Sequence, residues 1–105
     1  MKTLDEFIND TSLFKSQYIK YPGLSVYLRR HSQRVNGKVY LEVITIANII
    51  AKKPGKHRLR ALIDDLIKRK KSVYVENVLS VWLQEKLIEY GFIRIDQYNF
   101  FKEAE

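Results

Sequence analysis

The chain has no cysteine, and that one absence removes disulfides, thiolate metal sites and a cysteine nucleophile together. A reducing, cytoplasmic setting fits. Long apolar runs are also missing, since the longest, Val43 to Ala51, is interrupted by Thr45 and Asn48 and is too short to cross a bilayer. No membrane partner is expected. Asp5, Glu6 and Asp10 make the N-terminus unlike a signal peptide. Histidine is scarce, and His31 and His57 fall on different expected elements without ligand spacing, so no metal site is expected. None of Ser25, Ser32, Ser72 or Ser80 sits in a nucleophile elbow.

Acidic residues are the minority: 12 Asp and Glu against 19 Lys and Arg leave a net charge of +7. Such a chain favours an anionic partner, whether nucleic acid, anionic lipid, an acidic protein or a nucleotide-like cofactor. The cations cluster at Arg29 to Arg34, Lys52 to Arg60 and Lys68 to Lys71. The last two clusters bracket one expected helix. With 105 residues, 46% of them hydrophobic, the composition is that of one globular domain spanning 1–105 around a single core.

Thr3 followed by Glu6 is a capping box, and Leu4, Phe7, Ile8, Thr11 and Phe14 recur at helical spacing. This predicts a helix over about 4–15, the only element ahead of the sheet. After the turn signal Tyr21-Pro22-Gly23, Leu24, Val26 and Leu28 alternate with Ser25, Tyr27 and Arg29, predicting a strand that continues to Arg34. Asn36-Gly37 predicts a hairpin turn. The returning strand, 38–51, is apolar on both faces near Ile44, Ile46, Ile49 and Ile50, as a covered central strand requires.

Leu59, Leu62, Ile63, Leu66 and Ile67 form one apolar stripe, predicting a helix over 57–70 with Lys68 to Lys71 at its C-terminal end. Val73 to Val75 reads as a short buried strand. A second helix over 77–90 is expected to bury Val78, Leu79, Trp82, Leu83, Leu87 and Tyr90, with Gly91 as its stop. Two closing strands are expected at 92–95 and 98–101. Trp82, Tyr98, Phe100 and Phe101 read as core rather than as a stacking platform. The fold class expected is α+β, a mixed sheet with an N-terminal helix, a β-hairpin, a β-α-β-α-β core and closing strands.

A strand–helix–strand unit over 39–75 with a right-handed crossover makes its two strands parallel, and ligands of such sheets sit beyond the strands' carboxyl ends. That place holds Lys52, Lys53, Pro54, Gly55, Lys56 and His57. Backbone N–H groups there, with charge from Lys52, Lys53, Lys56 and Arg58, suit a pyrophosphate. A solvated basic loop is the other reading of these residues.

The order of elements, with ITIANI before that turn and VYVENVLSVWLQEKLIEYGFIRI after it, resembles the GNAT N-acetyltransferase superfamily, especially its short phage-type members, over roughly Leu24 to Phe101. The resemblance implies an acetyl-CoA cofactor. It assigns Ile46, Ala47, Asn48 and Ile49 to the cofactor-binding strand. Lys52 stands at the Arg/Gln position of the family's loop, Gly55 at its glycine and His57 in place of its second small residue. It further implies that Val73 to Val75 splays from its neighbour to admit the pantetheine. Ser80 falls at a cofactor-contacting Asn, and Leu87 where many members carry a Tyr that protonates the thiolate.

N-acyl transfer to an amine acceptor needs a proton acceptor and is helped by a donor to the thiolate. Glu42, Glu76 and His57 are the candidate bases and Tyr90 the substitute donor. Each also has a plain reading: a solvated strand carboxylate, a helix-start charge, a phosphate-loop residue and a helix-end packing residue. Because the N-terminal region is reduced to one helix, a homodimer is expected to complete the acceptor pocket. The rival function is a non-catalytic module that engages nucleic acid or an acidic protein through Arg29, Arg30, Arg34, Lys52, Lys53, Lys56, Arg58 and Arg60.

Overall fold

The computed structural model describes residues 2–9, 15–22, 24–51 and 58–104. In chain order these form β1 (Lys2–Thr3), α1 (Leu4–Asn9), β2 (Lys15–Tyr21), β3 (Leu24–Val35), β4 (Lys38–Ala51), α2 (Arg58–Lys68), β5 (Ser72–Val75), α3 (Val81–Glu89), β6 (Ile93–Arg94) and β7 (Phe100–Lys102). The strands make one mixed α+β sheet in the order β1-β2-β3-β4-β5-β7-β6. Two neighbouring pairs, β1 with β2 and β4 with β5, are parallel and the others antiparallel.

Local chemistry sets the ends of most elements. The Thr3 hydroxyl accepts from the Glu6 N–H at 3.2 Å while a Glu6 carboxylate oxygen accepts from the Thr3 N–H, a reciprocal cap that starts α1. Asn36 and Gly37 take φ of +50° and +83°, the left-handed pair that a two-residue hairpin demands, and so join β3 to β4. At the end of α3, Gly91 adopts φ +93° and donates to the Ile88 carbonyl, while Phe92 N–H reaches back to Leu87. These two bonds close the helix with a Schellman motif, and Leu87 and Phe92 both join the core beneath it.

All three helices lie on one face. Leu4 and Phe7 of α1, Leu62, Ile63 and Leu66 of α2, and Leu87 of α3 share a single cluster with Val26, Leu28, Ile44, Ile46, Val73 and Val75 of the sheet. The topology requires this for the last two helices, because β4-α2-β5 and β5-α3-β6 step in the same direction across the sheet, and crossovers of the usual hand then fall on the same side. The other face carries a smaller cluster of Val35, Val43, Tyr74 and Phe101. A register irregularity between His31 and Gln33 sets Ser32 against both Leu41 and Glu42, and Val35, on the same face of β3 as His31, which faces Val43, joins that cluster.

Several expectations need correction. Residue 15 opens β2 rather than closing a helix, and α1 is followed by this unforeseen strand. Residues 10–14 lie outside the described residues. The third helix begins at Val81, with Ser80 as N-cap, so Val78 and Leu79 precede it. Val78 and Leu87 are buried as expected, but Leu79 is 73% and Trp82 58% exposed, and Tyr98 is exposed as well. The N-cap explains the error: with the helix starting four residues late, a stripe drawn through 79 and 82 does not follow one helical face.

Leu87→Ala should cost about 3 kcal/mol, in the range for a fully buried leucine, whereas Leu79→Ala should stay within about 0.5 kcal/mol. Urea denaturation of the two variants checks this, and similar losses would contradict the placement of α3.

Candidate functional site

β4 is paired on both edges over only four of its 14 residues, Val43 to Ile46. With β5 it makes four parallel pairs, from Val43–Ser72 to Ile46–Val75, and one further bond from Glu76 N–H to the Ile46 carbonyl at 3.2 Å. With β3 it pairs to the end, Leu24 facing Ala51. Tyr27 faces Asn48 and Leu28 faces Ile46, so Ala47 is an extra residue, a bulge at the point where β4 leaves β5. A bulge bends its strand and re-aims the residues beyond it. The result is a wedge-shaped gap with a cavity of about 220 Å³, lined by Ala47, Val75, Glu76, Asn77, Val78, Leu79, Ser80 and Leu83.

The cavity's outer wall, residues 76–80, is held by the turn between β6 and β7. Asp96 accepts from the Tyr98 and Asn99 backbone N–H groups at 3.0 and 3.1 Å and from the Asn99 side-chain amide. Asn99 Oδ1 in turn accepts from Asn77 N–H at 3.1 Å, and the Tyr98 carbonyl accepts from Val78 N–H at 2.9 Å. This clasp holds Asn77 at φ +57°, a left-handed conformation that Asn tolerates better than most residues. The Tyr98 N–H bond first, then the Asn99 amide, holds the Asp96 carboxyl below the usual carboxylate range.

Glu76 sits at the cavity with its Oε1 engaged by the Arg29 guanidinium. Its Oε2 has no hydrogen-bond partner among the described residues. Ser80 also lines the cavity, and its oxygen accepts from Leu83 N–H at 3.2 Å, which leaves its O–H proton free to donate. Ile46 is fully buried and contributes its carbonyl, and Ala47 contributes both the bulge and the small side chain that keeps the gap open.

The remaining expected residues are elsewhere. Glu42 is exposed and paired with Lys71 at 3.2 Å, about 16 Å down β4 from Ala47 at roughly 3.3 Å per residue. Tyr90 stands at the far end of α3 beneath the Arg60 guanidinium, 5.1 Å from its ring centre, against the first turn of α2. Leu87 is core. Arg58 opens α2, and its Nε is buried without a partner among the described residues. Lys52, Lys53, Gly55, Lys56 and His57 lie outside the described residues, as do the side chains of Asn48 and Ile49. Of the cations assigned to a binding surface, Arg29 is held by Glu76, Arg30 donates to the Ile8 carbonyl at 3.2 Å, and Arg60 pairs with Asp64 at 3.8 Å.

The structure therefore brings together Ile46, Ala47, Glu76 and Ser80 and separates them from Glu42 and Tyr90. Arg29 as the partner of Glu76, and Leu79 and Leu83 as cavity walls, escape the sequence reading. The Asp96-x-x-Asn99 spacing is a readable signal for the Asx turn of the clasp. Family models, curated proteins and solved structures were all compared with the chain. It matches none of them. Among the described residues no cluster of His, Asp or Glu could hold a metal ion, and no helix is long and apolar enough to cross a membrane.

A folded-state carboxyl held below its ordinary value contributes stability above that value and loses it as pH falls through the lowered one. Asp96→Ala should therefore shrink the drop in urea midpoint between about pH 5 and pH 2.5, and amide exchange at Asn77 should speed up. Unchanged pH dependence together with unchanged Asn77 exchange would contradict the clasp.

Proposed function

We propose that the chain is a GNAT-like N-acyltransferase that binds acetyl-CoA or a related thioester where β4 parts from β5 and transfers the acyl group to an amine. The observation that carries this reading is the parting itself. Among the described residues the β5-facing edge of β4 has no strand partner beyond Ile46, and unpaired strand N–H and C=O groups suit an extended ligand bearing amides. The gap's lining mixes small and apolar side chains, Ala47, Val75, Val78, Leu79 and Leu83, with the polar Glu76, Asn77 and Ser80, which suits a thioester that needs both a seat and hydrogen-bonding groups.

The basic start of α2 supports the phosphate end of the same ligand. Its first turn holds Arg58 and Arg60 and no acid, the reverse of what the helix dipole favours, and a bound phosphate would offset that repulsion. The orphaned Arg58 Nε adds a donor in the same turn. These residues fit the cofactor, which when bound supplies an activated acyl group.

The chain's own residues handle the protons. Arg29 fixes the Glu76 carboxylate through Oε1, leaving Oε2 to take the proton that the acceptor amine must lose. Ser80 presents its O–H at the cavity wall as a hydrogen-bond donor toward the departing sulfur, a role that Leu87 cannot fill from the core.

Calorimetry with acetyl-CoA at moderate salt should show saturable one-to-one binding. Glu76→Gln should keep that binding and lower amine acylation by about 10²-fold, read with a panel of amine acceptors. Absence of CoA binding would overturn the proposal.

A further inference from the structure

Three features around the cavity have no role in the fold. Leu79 occupies the position before the N-cap, from which a leucine usually packs on the fourth helical residue. That residue is Gln84, whose amide donates instead to the Val78 carbonyl at 2.8 Å, and Leu79 stays 73% exposed on the cavity rim. Val81 and Trp82 come next in the chain and are 66% and 58% exposed, with Lys86 Nζ 5.7 Å from the Trp82 ring centre. The cavity itself, at about 220 Å³, holds about seven groups the size of a water or methylene at roughly 30 Å³ each. An acetyl group, with its two carbons and one oxygen, fills less than half of that.

Resting on the thioester-binding reading above, we infer that the preferred acyl group is an unbranched chain of medium length rather than acetyl, seated against Val78, Leu79 and Leu83 with its end at the Leu79 rim. The residue types agree with this choice. Apart from Glu76, Asn77 and Ser80 the side-chain walls are aliphatic, and among the described residues no charged group other than Glu76 lines the cavity. An acyl chain removes both its own apolar surface and that of Leu79 from water, which is the driving force for the selection. The acyl carbonyl stays at the inner end near Ser80, so lengthening the chain does not displace the reacting carbon.

The test is calorimetric titration of the full chain with acetyl-, butyryl-, hexanoyl- and octanoyl-CoA, each below its micelle concentration, with unacylated CoA alongside. Each buried methylene tightens binding by at most about fourfold, and hexanoyl-CoA should bind at least about tenfold more tightly than acetyl-CoA. In Leu79→Ser, an exposed site at which folding is checked by circular dichroism, the hexanoyl-to-acetyl affinity ratio should fall toward one. Equal affinity across the series would overturn the chain-length inference while leaving the CoA site standing. A preference that persists undiminished in Leu79→Ser would place the chain elsewhere and overturn the seating. Failure of every thioester and of CoA itself to bind would overturn the site and the inference together.

Discussion

The unequal pairing of β4 is the constraint on which the rest of the molecule depends. On one edge it is bound to β3 from the hairpin turn to Ala51, and on the other it is bound to β5 only as far as Ile46 and Val75. The first edge keeps the strand straight enough to run through the centre of the sheet. The second lets it leave. Ala47, the residue that β3 does not match, sits at the departure point and converts a missing pair into a directed bend. Burial follows the pairing, since the four doubly paired residues, Val43, Ile44, Thr45 and Ile46, are all buried.

Because both crossovers of the second half step the same way, α2 and α3 lie on the face that also receives α1, and their buried leucines and isoleucines make one core. The other face carries the smaller cluster, with Tyr40 and Phe101 packed at 4.8 Å between ring centres. The gap between β4 and β5 thus opens at the edge of a well-packed body. Its outer wall is not a loose loop but a segment tied through Asn77 and Val78 to the Asp96–Asn99 turn. A ligand entering there meets preformed walls, which lowers the ordering cost of binding.

Much of the fold is legible in the chain, for reasons that differ by element. The hairpin is legible because Asn36-Gly37 specifies backbone angles that few other pairs adopt, and β4 because its β-branched run has no helical period. α2 is legible because five aliphatic residues hold one stripe. β2 is not, because in KSQYIKY the one aliphatic residue is Ile19, and one aliphatic residue defines no alternation. The start of α3 is misread because Leu79 and Trp82 mimic a helical stripe, while the signal that decides the boundary is the single hydroxyl of Ser80. The insertion of β7 between β5 and β6 rests on pairings such as Tyr74 with Phe101, to which no local pattern points.

The site is legible to a lesser degree. Ala47 is singled out by the family resemblance and Glu76 by its place at the end of β5, and both line the gap. Glu42 and Tyr90 are chosen by residue type, and the first is drawn to Lys71 and the second to Arg60. The Arg29–Glu76 pair joins residues 47 apart in sequence, which only the finished sheet brings together. The most direct measurement is an amide chemical-shift titration of the isotopically labelled protein with CoA. The account predicts saturable shifts centred on Ala47, Glu76, Asn77 and Ser80, with the Arg34–Lys38 turn unmoved. Shifts confined to that turn, or none at all, would contradict it.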